Sequence, residues 1–421
     1  MKGVAAFLIA LMAASFAGAE DEAAVLISGS VTGQNGDTEV ALNSTDNEYL
    51  VGWVNRTQKK IYARVVTGNG TALGEPVVIS TKSAMAPISI AYNSVANEYL
   101  VAWQTYTQGK SANVIFVQRV SADGETAGSP VKVASGTKKL NRNPVVLYNS
   151  DDDVYMVLWS KEGLDTADAG NYSATTDGLY ARFFNSNGTA AGSEKLVKAM
   201  AYEVVNDYRR HLKYQGYIAR WQALKKRYGI LTNHITDGDG AMQIEFMATD
   251  SNGVLVAGPV KINRGTVGNG SVWTGLGLNT TTGGYLATWE DYEKQSGSDT
   301  GDIDQRPLNT NGNPSGSEEN TYATGQACGD PVVAFDSNKG NFLVVFWADV
   351  VDNGTNVDVR GQFVTSAGTL IGKSFGITSS GDSEAEHAVV YNPAIKKYFA
   401  VWAQVAGKSQ FNVWSSLISP K

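Results

Sequence analysis

The chain has 421 residues, a formal net charge of -7 and a sequence pI near 5.2, an acidic balance that argues against nucleic acid and anionic membranes as partners. Its single cysteine, Cys328, excludes an internal disulfide. Abundant glycine at 45 residues, only 10 prolines and many aromatic residues predict short strands joined by tight turns.

The first nineteen residues have the organisation of a signal peptide. Lys2 precedes an apolar run over residues 4–16, and Ala17, Gly18 and Ala19 follow it with a small-x-small cleavage pattern. The run is shorter than the roughly 20 apolar residues that span a bilayer, which favours cleavage near Ala19 over an uncleaved anchor. We therefore predict a signal peptide over residues 1–19. The mature chain, residues 20–421, is predicted to be one secreted or periplasmic domain without membrane insertion.

An internal repeat occupies most of the mature chain. Over residues 90–103, an aromatic residue precedes a tight turn, a second aromatic follows seven residues later, and a tryptophan follows eleven residues later. This frame occurs seven times, with two degenerate copies. The copies are Leu42/Tyr49/Trp53, Tyr92/Tyr99/Trp103, Tyr148/Tyr155/Trp159, Trp221/Tyr228/Thr232, Leu278/Tyr285/Trp289, Phe335/Phe342/Phe346 and Tyr391/Tyr398/Trp402.

Each copy predicts a four-stranded antiparallel blade. Six copies continue from the frame into a third strand, a glycine turn and a fourth strand. The seventh copy ends after three strands, and residues 24–28 match fourth strands such as residues 76–80. The predicted fold is therefore all-β, a seven-bladed β-propeller whose N-terminal strand completes the last blade and closes the ring.

The repeat units resemble those of secreted bacterial and archaeal seven-bladed propeller proteins. The shared pattern is A-Y-N-S-x-x-N-E-Y-L-V-x-W, which residues 91–103 reproduce, followed by an I-Y-x-x-R-V-x-x-x-G segment. The resemblance covers nearly the whole mature chain. It implies the propeller fold and an extracellular location. It implies no particular activity, since such repeats occur mainly in proteins of uncharacterised role.

The loops of the third to fifth copies are the most elaborate, and they predict a binding sector on one face of the ring. They span residues 160–177, 199–216, 233–240 and 290–302. Residues 206–211 group Tyr, Arg and His side chains that suit a sugar ligand, while a short solvated helical turn is the alternative there. The candidate ligand-binding residues are Tyr208, Arg209, Arg210, His211, His234, Glu290, Asp291 and Tyr292. The repeated aromatics are instead expected to pack between blades.

Motifs for catalysis and metal binding are weak. The only G-x-S-x-G match, residues 372–376, lies between two predicted strands rather than at the strand-turn-helix elbow that a nucleophile needs. The acidic stretches at residues 237–240 and 299–302 lack the six or so oxygen ligands of a calcium loop. We expect no metal or other cofactor, with calcium kept as a candidate, and Cys328 as a small buried residue.

The leading functional hypothesis is a non-enzymatic extracellular binding or surface protein that recognises a glycan or glycoprotein through the loop-rich face. The alternative is a polysaccharide-cleaving enzyme, a lyase or hydrolase acting on acidic polysaccharide, with Tyr208, Arg210, His211 and His234 as candidates. A structural surface or filament subunit, with its N-terminal strand exchanged between neighbours, is the third possibility.

Overall fold

The computed structural model describes residues 23–80, 84–105, 113–134, 139–163, 178–199, 203–205, 208–210, 216–235, 242–264, 273–295, 298–323, 327–349 and 357–421. These residues form seven four-stranded antiparallel sheets and one small hairpin. One 3-10 turn, Ala223–Lys225, is the only helix among them. Within these ranges no helix is long and apolar enough to cross a membrane.

Thirty strands are numbered here in chain order, and each blade from the first to the sixth takes four consecutive strands. The first strand is β1 (Val25–Leu26). Blade 1 has β2 (Asn35–Asn43), β3 (Glu48–Asn55), β4 (Lys60–Thr67) and β5 (Val77–Ser80). Blade 2 has β6 (Ala84–Asn93), β7 (Glu98–Thr105), β8 (Val114–Ser121) and β9 (Thr126–Ala134). Blade 3 has β10 (Lys139–Asn149), β11 (Val154–Gly163), β12 (Gly178–Asn185) and β13 (Lys195–Ala199).

The hairpin β14 (Glu203–Val205) and β15 (Tyr208–Arg210) separates blades 3 and 4. Blade 4 has β16 (Tyr217–Gln222), β17 (Arg227–Ile235), β18 (Met242–Asp250) and β19 (Leu255–Lys261). Blade 5 has β20 (Thr274–Leu278), β21 (Tyr285–Gln295), β22 (Ser298–Leu308) and β23 (Glu319–Tyr322). Blade 6 has β24 (Cys328–Asp336), β25 (Asn341–Asp349), β26 (Val357–Thr365) and β27 (Leu370–Gly376). Blade 7 has β28 (Glu384–Asn392), β29 (Lys397–Val405) and β30 (Phe411–Ile418).

The N-terminal strand closes the ring. β1 pairs with β30 as the fourth strand of blade 7, with Val25 opposite Ser415 and Leu26 opposite Trp414. The first strands of successive blades contact one another, and the first strand of blade 7, β28, contacts β2 of blade 1. The chain is therefore a seven-bladed β-propeller, which confirms the predicted fold and the predicted closure.

The repeated aromatic residues pack between blades. Trp53 and Tyr49 are fully buried, and the Tyr49 ring stacks on Phe399 of blade 7 with centroids 4.1 Å apart. Tyr228 of blade 4 likewise packs against Phe183 of blade 3. Each blade thus buries aromatic area against its neighbour, and the predicted role of the frame in packing is confirmed.

A buried side chain organises the tight turn between the first two strands of a blade. In blade 3, Asn149 is fully buried, and its Oδ1 accepts the backbone N–H groups of Asp151 at 2.9 Å and Asp152 at 3.2 Å. This Asx turn satisfies backbone donors that a sharp reversal leaves unpaired. The same bonding occurs at Asn43, Asn93, Asn279 and Asp336.

Two of the predicted insertions are strands rather than loops. Between residues 199 and 216, a β-hairpin pairs Glu203–Val205 with Tyr208–Arg210, so the helical-turn alternative is wrong there. Residues 290–302 extend the long hairpin of β21 and β22, with Asp291 opposite Asp302. The G-x-S-x-G match lies along the outer strand β27, a setting without a nucleophile elbow.

Candidate functional site

A cavity of about 340 Å³ lies where the first strands of the seven blades meet around the ring axis. Its volume is at the lower end of the range of about 300–1,000 Å³ that is usual for ligand pockets. The lining residues come from the N-terminal ends of these strands, the end that also carries the loops between blades. Its carboxyl groups belong to Asp37, Glu39, Asp330 and Glu386.

Left-handed bulges aim four polar side chains at this cavity. Asp37, Asn143, Asp330 and Glu386 have φ angles of 52°, 52°, 61° and 53°, and the register of each first strand shifts there. A bulge re-aims a side chain and commonly borders a functional site. Positive φ at a residue other than glycine is strained and persists only where the surroundings hold it. The strain therefore marks this ring of residues as a candidate site.

An arginine holds the carboxylates of the first and last blades together. Arg56 donates from Nε and Nη2 to Asp37 Oδ2, at 3.1 Å and 2.7 Å, and from Nη2 to Glu386 Oε1. The Asp37 backbone N–H also donates to Glu386 Oε2 at 2.8 Å. Gly36 leaves room for this carboxyl group, because a Cβ there would lie 2.0 Å from Glu386 Oε2 and would displace it. Two donors of blade 1 therefore hold the Glu386 carboxyl group in place.

The other carboxyl groups of the cavity hold their protons more strongly than usual. Burial, with the nearby charges of Glu386 and Asp37, raises the pKa of Asp330 to about 7. Burial raises the pKa of Glu39 to about 7, an effect that Arg220 opposes. Burial and Glu386 raise the pKa of Asp37 to about 6 against the effect of Arg56. Protonated and ionised carboxyl groups thus coexist in the cavity near neutral pH.

The rim beside blade 5 carries an exposed aromatic ring. Trp273 lines the cavity, and 44% of its surface is exposed. Its carbonyl oxygen accepts the backbone N–H of Glu290 at 3.2 Å. Glu290 is buried, and burial together with the charge of Asp330 raises its pKa to about 8. A further carboxyl group, that of Glu290, therefore lies between Trp273 and Asp330 at this side of the cavity.

One buried histidine lines the cavity. His387 is 6% exposed, and its Nε2 lies 3.2 Å from the Val345 carbonyl oxygen. Its Nδ1 has no hydrogen-bond partner among the residues that the structure describes. Burial lowers the pKa of His387 to about 4, so the ring is neutral at physiological pH. The Asp330 backbone also lies close to the imidazole and, like the Val345 carbonyl group, raises the pKa against the larger effect of burial.

The structure places the residues predicted from sequence as follows. Glu290 and Asp291 lie on β21, and Glu290 adjoins Asp330 of the cavity. Tyr208, Arg209 and Arg210 form β15, while His234 and Tyr292 lie on β17 and β21, with side chains outside the part of the chain that is described. His211 and the acidic stretch at 237–240 also lie outside the described residues. Their predicted binding role stays a prediction.

Sequence reasoning missed the carboxyl groups of the cavity. Asp37, Asp330 and Glu386 each lie five positions before the first residue of the repeat frame, Leu42, Phe335 and Tyr391. Asn143 has the same position before Tyr148. The signal in the sequence is a polar residue at this repeat position in four of the seven copies. It is not shared by all seven, so it does not stand out as a repeated site.

Metal and thiol chemistry have little support at this cavity. Among the described residues, no group of three or more His, Cys, Asp or Glu side chains is arranged to hold a metal ion. Cys328 is buried, its Sγ donates to the Gly301 carbonyl oxygen at 2.7 Å, and burial raises the pKa of the thiol. The prediction of a small buried cysteine is confirmed.

The fold and the axial cavity define the protein as a seven-bladed β-propeller with an acidic central pocket. No protein-family profile matches the chain, and no curated protein matches it in sequence. Among solved structures, the polysaccharide lyase Uly1 superposes with a TM-score of 0.55 at 9% identity, over 91% of this chain and 90% of that chain. At such identity the likeness shows the fold alone.

Two further solved structures with similar folds are named as a protease domain and a sialidase. The β-propeller domain of the Trilobed protease from Pyrococcus furiosus gives a TM-score of 0.45 at 8% identity, over 90% of this chain and 93% of that chain. The sialidase of Trypanosoma rangeli gives 0.46 at 8% identity, over 83% of this chain and 56% of that chain. These two likenesses, at 8% identity, carry no information about the activity of this chain.

Proposed function

We propose that the protein is a glycoside hydrolase whose active site is the axial cavity. One observation carries the proposal. A carboxyl group that holds its proton near neutral pH, Asp330, lies in the same cavity as Glu386, a carboxylate fixed by an arginine. Glycoside hydrolysis needs such a pair, one acid to protonate the leaving oxygen and one carboxylate to act as base or nucleophile.

The roles follow from the surroundings of each group. Asp330 acts as the general acid, because burial and the charges of Glu386 and Asp37 keep its proton in place up to about pH 7. Glu386 acts as base or nucleophile, because Arg56 and the Asp37 backbone N–H donate to its carboxyl oxygens and hold it in the cavity. Trp273 offers an exposed ring face on which a sugar can stack.

The location of the cavity favours action at the end of a glycan chain. The cavity is enclosed by strands from all seven blades, so a ligand enters along the axis. The fold of the polysaccharide lyase Uly1 supports glycan cleavage on a propeller of this type without assigning any residue here. Secretion of the protein, and glycan contacts on the loops of blades 3 to 5, remain proposals that suit this activity.

Substitution of the two carboxyl groups tests the proposal. Release of reducing ends from a panel of oligosaccharides and polysaccharides is expected for the unchanged chain. Asp330→Asn and Glu386→Gln are each expected to lower kcat/KM by about 10²–10⁴-fold, the usual contribution of a general acid or base. The activity of the unchanged chain is also expected to fall as the pH rises above about 7, because Asp330 then loses its proton.

A matched control separates catalysis from general charge effects. Asp382, an exposed residue shortly before β28, does not line the cavity, and Asp382→Asn is expected to keep full activity. Equal rates for the Asp330→Asn and Glu386→Gln variants and the unchanged chain would refute the assignment. Glycan binding without any cleavage would instead support the non-enzymatic binding protein inferred from sequence.

A further inference from the structure

A second pocket, of about 300 Å³, lies between blades 5 and 6 on the face of the ring that carries the tight turns. One wall consists of the two turns of blade 5 that follow β20 and β22, and the other includes Phe342 and Ser366 of blade 6. First strands begin beside the axial cavity and end at this face, so the length of a strand separates the two pockets. The volume suits a small ligand.

The pocket lies where the sixth copy of the repeat lacks two polar groups that bridge another joint. Between blades 7 and 1, the turn residue Asn392 donates from Nδ2 to Asn47 Oδ1 and to the Tyr49 hydroxyl, both at 2.8 Å. Gly340 and Phe342 have the places of Asn47 and Tyr49 in the sixth copy. A Cβ at Gly340 would meet nothing within 4 Å. The joint between blades 5 and 6 is therefore open at this position.

A different contact connects blades 5 and 6 beside the pocket. Between blades 1 and 2, the turn residue Asn43 donates to Asn97 Oδ1 at 2.9 Å, as Asn392 does to its own neighbour. The corresponding turn residue of blade 5, Asn279, donates instead to Ser366 Oγ at 2.9 Å. The two blades are thus held together without closing the pocket.

Buried side chains of blade 4 fix the blade 5 wall of the pocket. Arg227 is 8% exposed, and its Nη2 donates to the Thr310 carbonyl oxygen and, at 3.1 Å, to Asn311 Oδ1. Gln222, also buried, donates from Nε2 to the Thr310 carbonyl oxygen at 3.2 Å. A wall held by buried anchors needs little ordering when a ligand binds.

The lining combines free polar groups with apolar surface and no charge. Asn309 Oδ1 accepts the backbone N–H of Asn311 at 2.9 Å, while its Nδ2 has no partner among the described residues. Ser315 Oγ is likewise unpartnered in the part of the chain that is described. Phe342 and Leu308 add apolar surface, and none of the described lining residues carries a charged side chain. The polar lining residues are Asn279, Thr282, Asn309, Thr310, Ser315 and Ser366.

We propose that this pocket binds one neutral sugar residue of a glycan. Sugar hydroxyl groups both donate and accept hydrogen bonds, as the amide and hydroxyl groups of the lining do, and the C–H face of the ring suits Phe342 and Leu308. A charged ligand would lose hydration without gaining a counter-charge. The inference is independent of the proposed hydrolase. A sugar held here would anchor the protein to a glycan while the axial cavity stays accessible.

Ligand-observed NMR titration of the full chain with methyl glycosides tests the inference. The neutral probes are the methyl glycosides of glucose, galactose and mannose, and the charged probes are those of glucuronate and glucosamine. At least one neutral probe is expected to bind with a Kd on the order of 1 mM, as suits a ligand of one sugar ring. Its charged counterparts are expected to bind several-fold more weakly.

Asn309→Asp tests the polar wall without disturbing its turn. Asp250 has the corresponding place in blade 4, where its Oδ1 accepts the backbone N–H groups of Asn252 and Val254, both at 2.9 Å. The variant therefore keeps the turn, removes the amide donor and adds a charge, and it is expected to weaken binding about tenfold. Asn185→Asp makes the same change at the corresponding place of blade 3, outside the pocket, and is expected to leave the affinity unchanged.

The double variant Gly340→Asn with Phe342→Tyr closes the pocket by restoring both groups of the bridged joint. Gly340 has a φ of 75°, a left-handed conformation that Asn tolerates, so the fold is expected to be kept. Binding of the neutral glycosides is expected to be lost. Cleavage of short oligosaccharides in the axial cavity is expected to stay unchanged, because neither residue lines that cavity.

Three results would each overturn the inference. These are no binding of any neutral probe at about 20 mM, equal affinities of the Asn309→Asp and Asn185→Asp variants, and undiminished binding by the double variant. Tighter binding of the charged probes would overturn the assignment of a neutral sugar. Sugar binding at this pocket without cleavage of any glycan would refute the hydrolase proposal and leave the inference standing. Cleavage without such binding would do the reverse.

Discussion

Ionisation of Asp330 opposes folding, because its carboxyl group is buried beside the charges of Glu386 and Asp37. Its pKa rises from an ordinary 3.8 to about 7 in the folded chain. Between these pH values the folded state holds a proton that the unfolded chain has lost, so stability falls as the pH rises. Glu39 and Glu290 act in the same direction, with pKa values of about 7 and about 8.

Asp330→Asn is therefore expected to stabilise the protein at alkaline pH. At about pH 8 the variant should gain roughly 1–2 kcal/mol over the unchanged chain, because a partly solvated buried charge is removed. At about pH 4 the two should differ little, since the aspartic acid is then neutral as well. Thermal unfolding at both pH values measures this, with Asp382→Asn as the control. An equal effect at both pH values would contradict the role of the charge.

His387 contributes in the opposite sense. Burial lowers its pKa from 6.5 to about 4, so the unfolded chain binds a proton between these values that the folded chain does not. This part of the stability is present above pH 6.5 and is lost as the pH falls toward 4. Between about pH 4 and pH 6.5 the histidine thus offsets part of the loss of stability that the three buried carboxyl groups cause.

At the scale of single elements, the turn between the first two strands depends on one buried side chain, as blade 3 shows. Asn149 is fully buried and bonds the backbone N–H groups of Asp151 and Asp152. Asn149→Ala is expected to cost about 1–3 kcal/mol, because buried donors lose their acceptor. The exposed neighbour Ser150 is the control, and Ser150→Ala should change stability by no more than about 0.5 kcal/mol. Urea unfolding compares the two, and equal costs would refute the turn as the cause.

Strands, turns and blade count could be predicted because their signals are local and repeated. The frame of Tyr99 and Trp103 recurs at fixed spacing, and the match of residues 24–28 to fourth strands predicted the closure. The extent of β21 and β22 was less accessible, since charged residues such as Glu290 and Asp302 look like a loop in sequence.

The candidate site could not be predicted in the same way. Glu386 lies 330 residues after Arg56, and only the closed ring brings it within reach of Arg56 and Asp37 of blade 1. The pKa of Asp330 depends on burial and on these two neighbours, which no spacing in the sequence reveals. The sequence does contain a polar residue at the bulge position in four copies. Only the structure shows that these bulges direct the side chains to the axial cavity.

At the scale of the whole molecule, ring closure and the candidate site depend on each other. Arg56 and Asp37 of blade 1 bond to Glu386 of blade 7, so the acidic cluster assembles across the joint between the first and last blades. The joint is also held by β1, whose neighbour Ile27 is fully buried and donates its backbone N–H to the Val413 carbonyl oxygen at 2.8 Å.

Ile27→Ala and Ile79→Ala form a matched pair that tests this joint. Ile27 directly follows β1 and Ile79 lies in β5 at the matching repeat position, and both are buried, so each substitution should cost about 2–4 kcal/mol. Their effects on motion should differ, because β5 continues the covalent chain of blade 1 whereas β1 is joined to blade 7 only by pairing. Amide hydrogen exchange is therefore expected to accelerate across β2, β28 and β30 in Ile27→Ala, and the acceleration in Ile79→Ala is expected to stay local to blades 1 and 2.

An opening of the ring would also separate Arg56 from Glu386, so Ile27→Ala should lose glycan cleavage at temperatures where Ile79→Ala retains it. If both variants exchange alike and lose activity together, global stability rather than the joint controls the site.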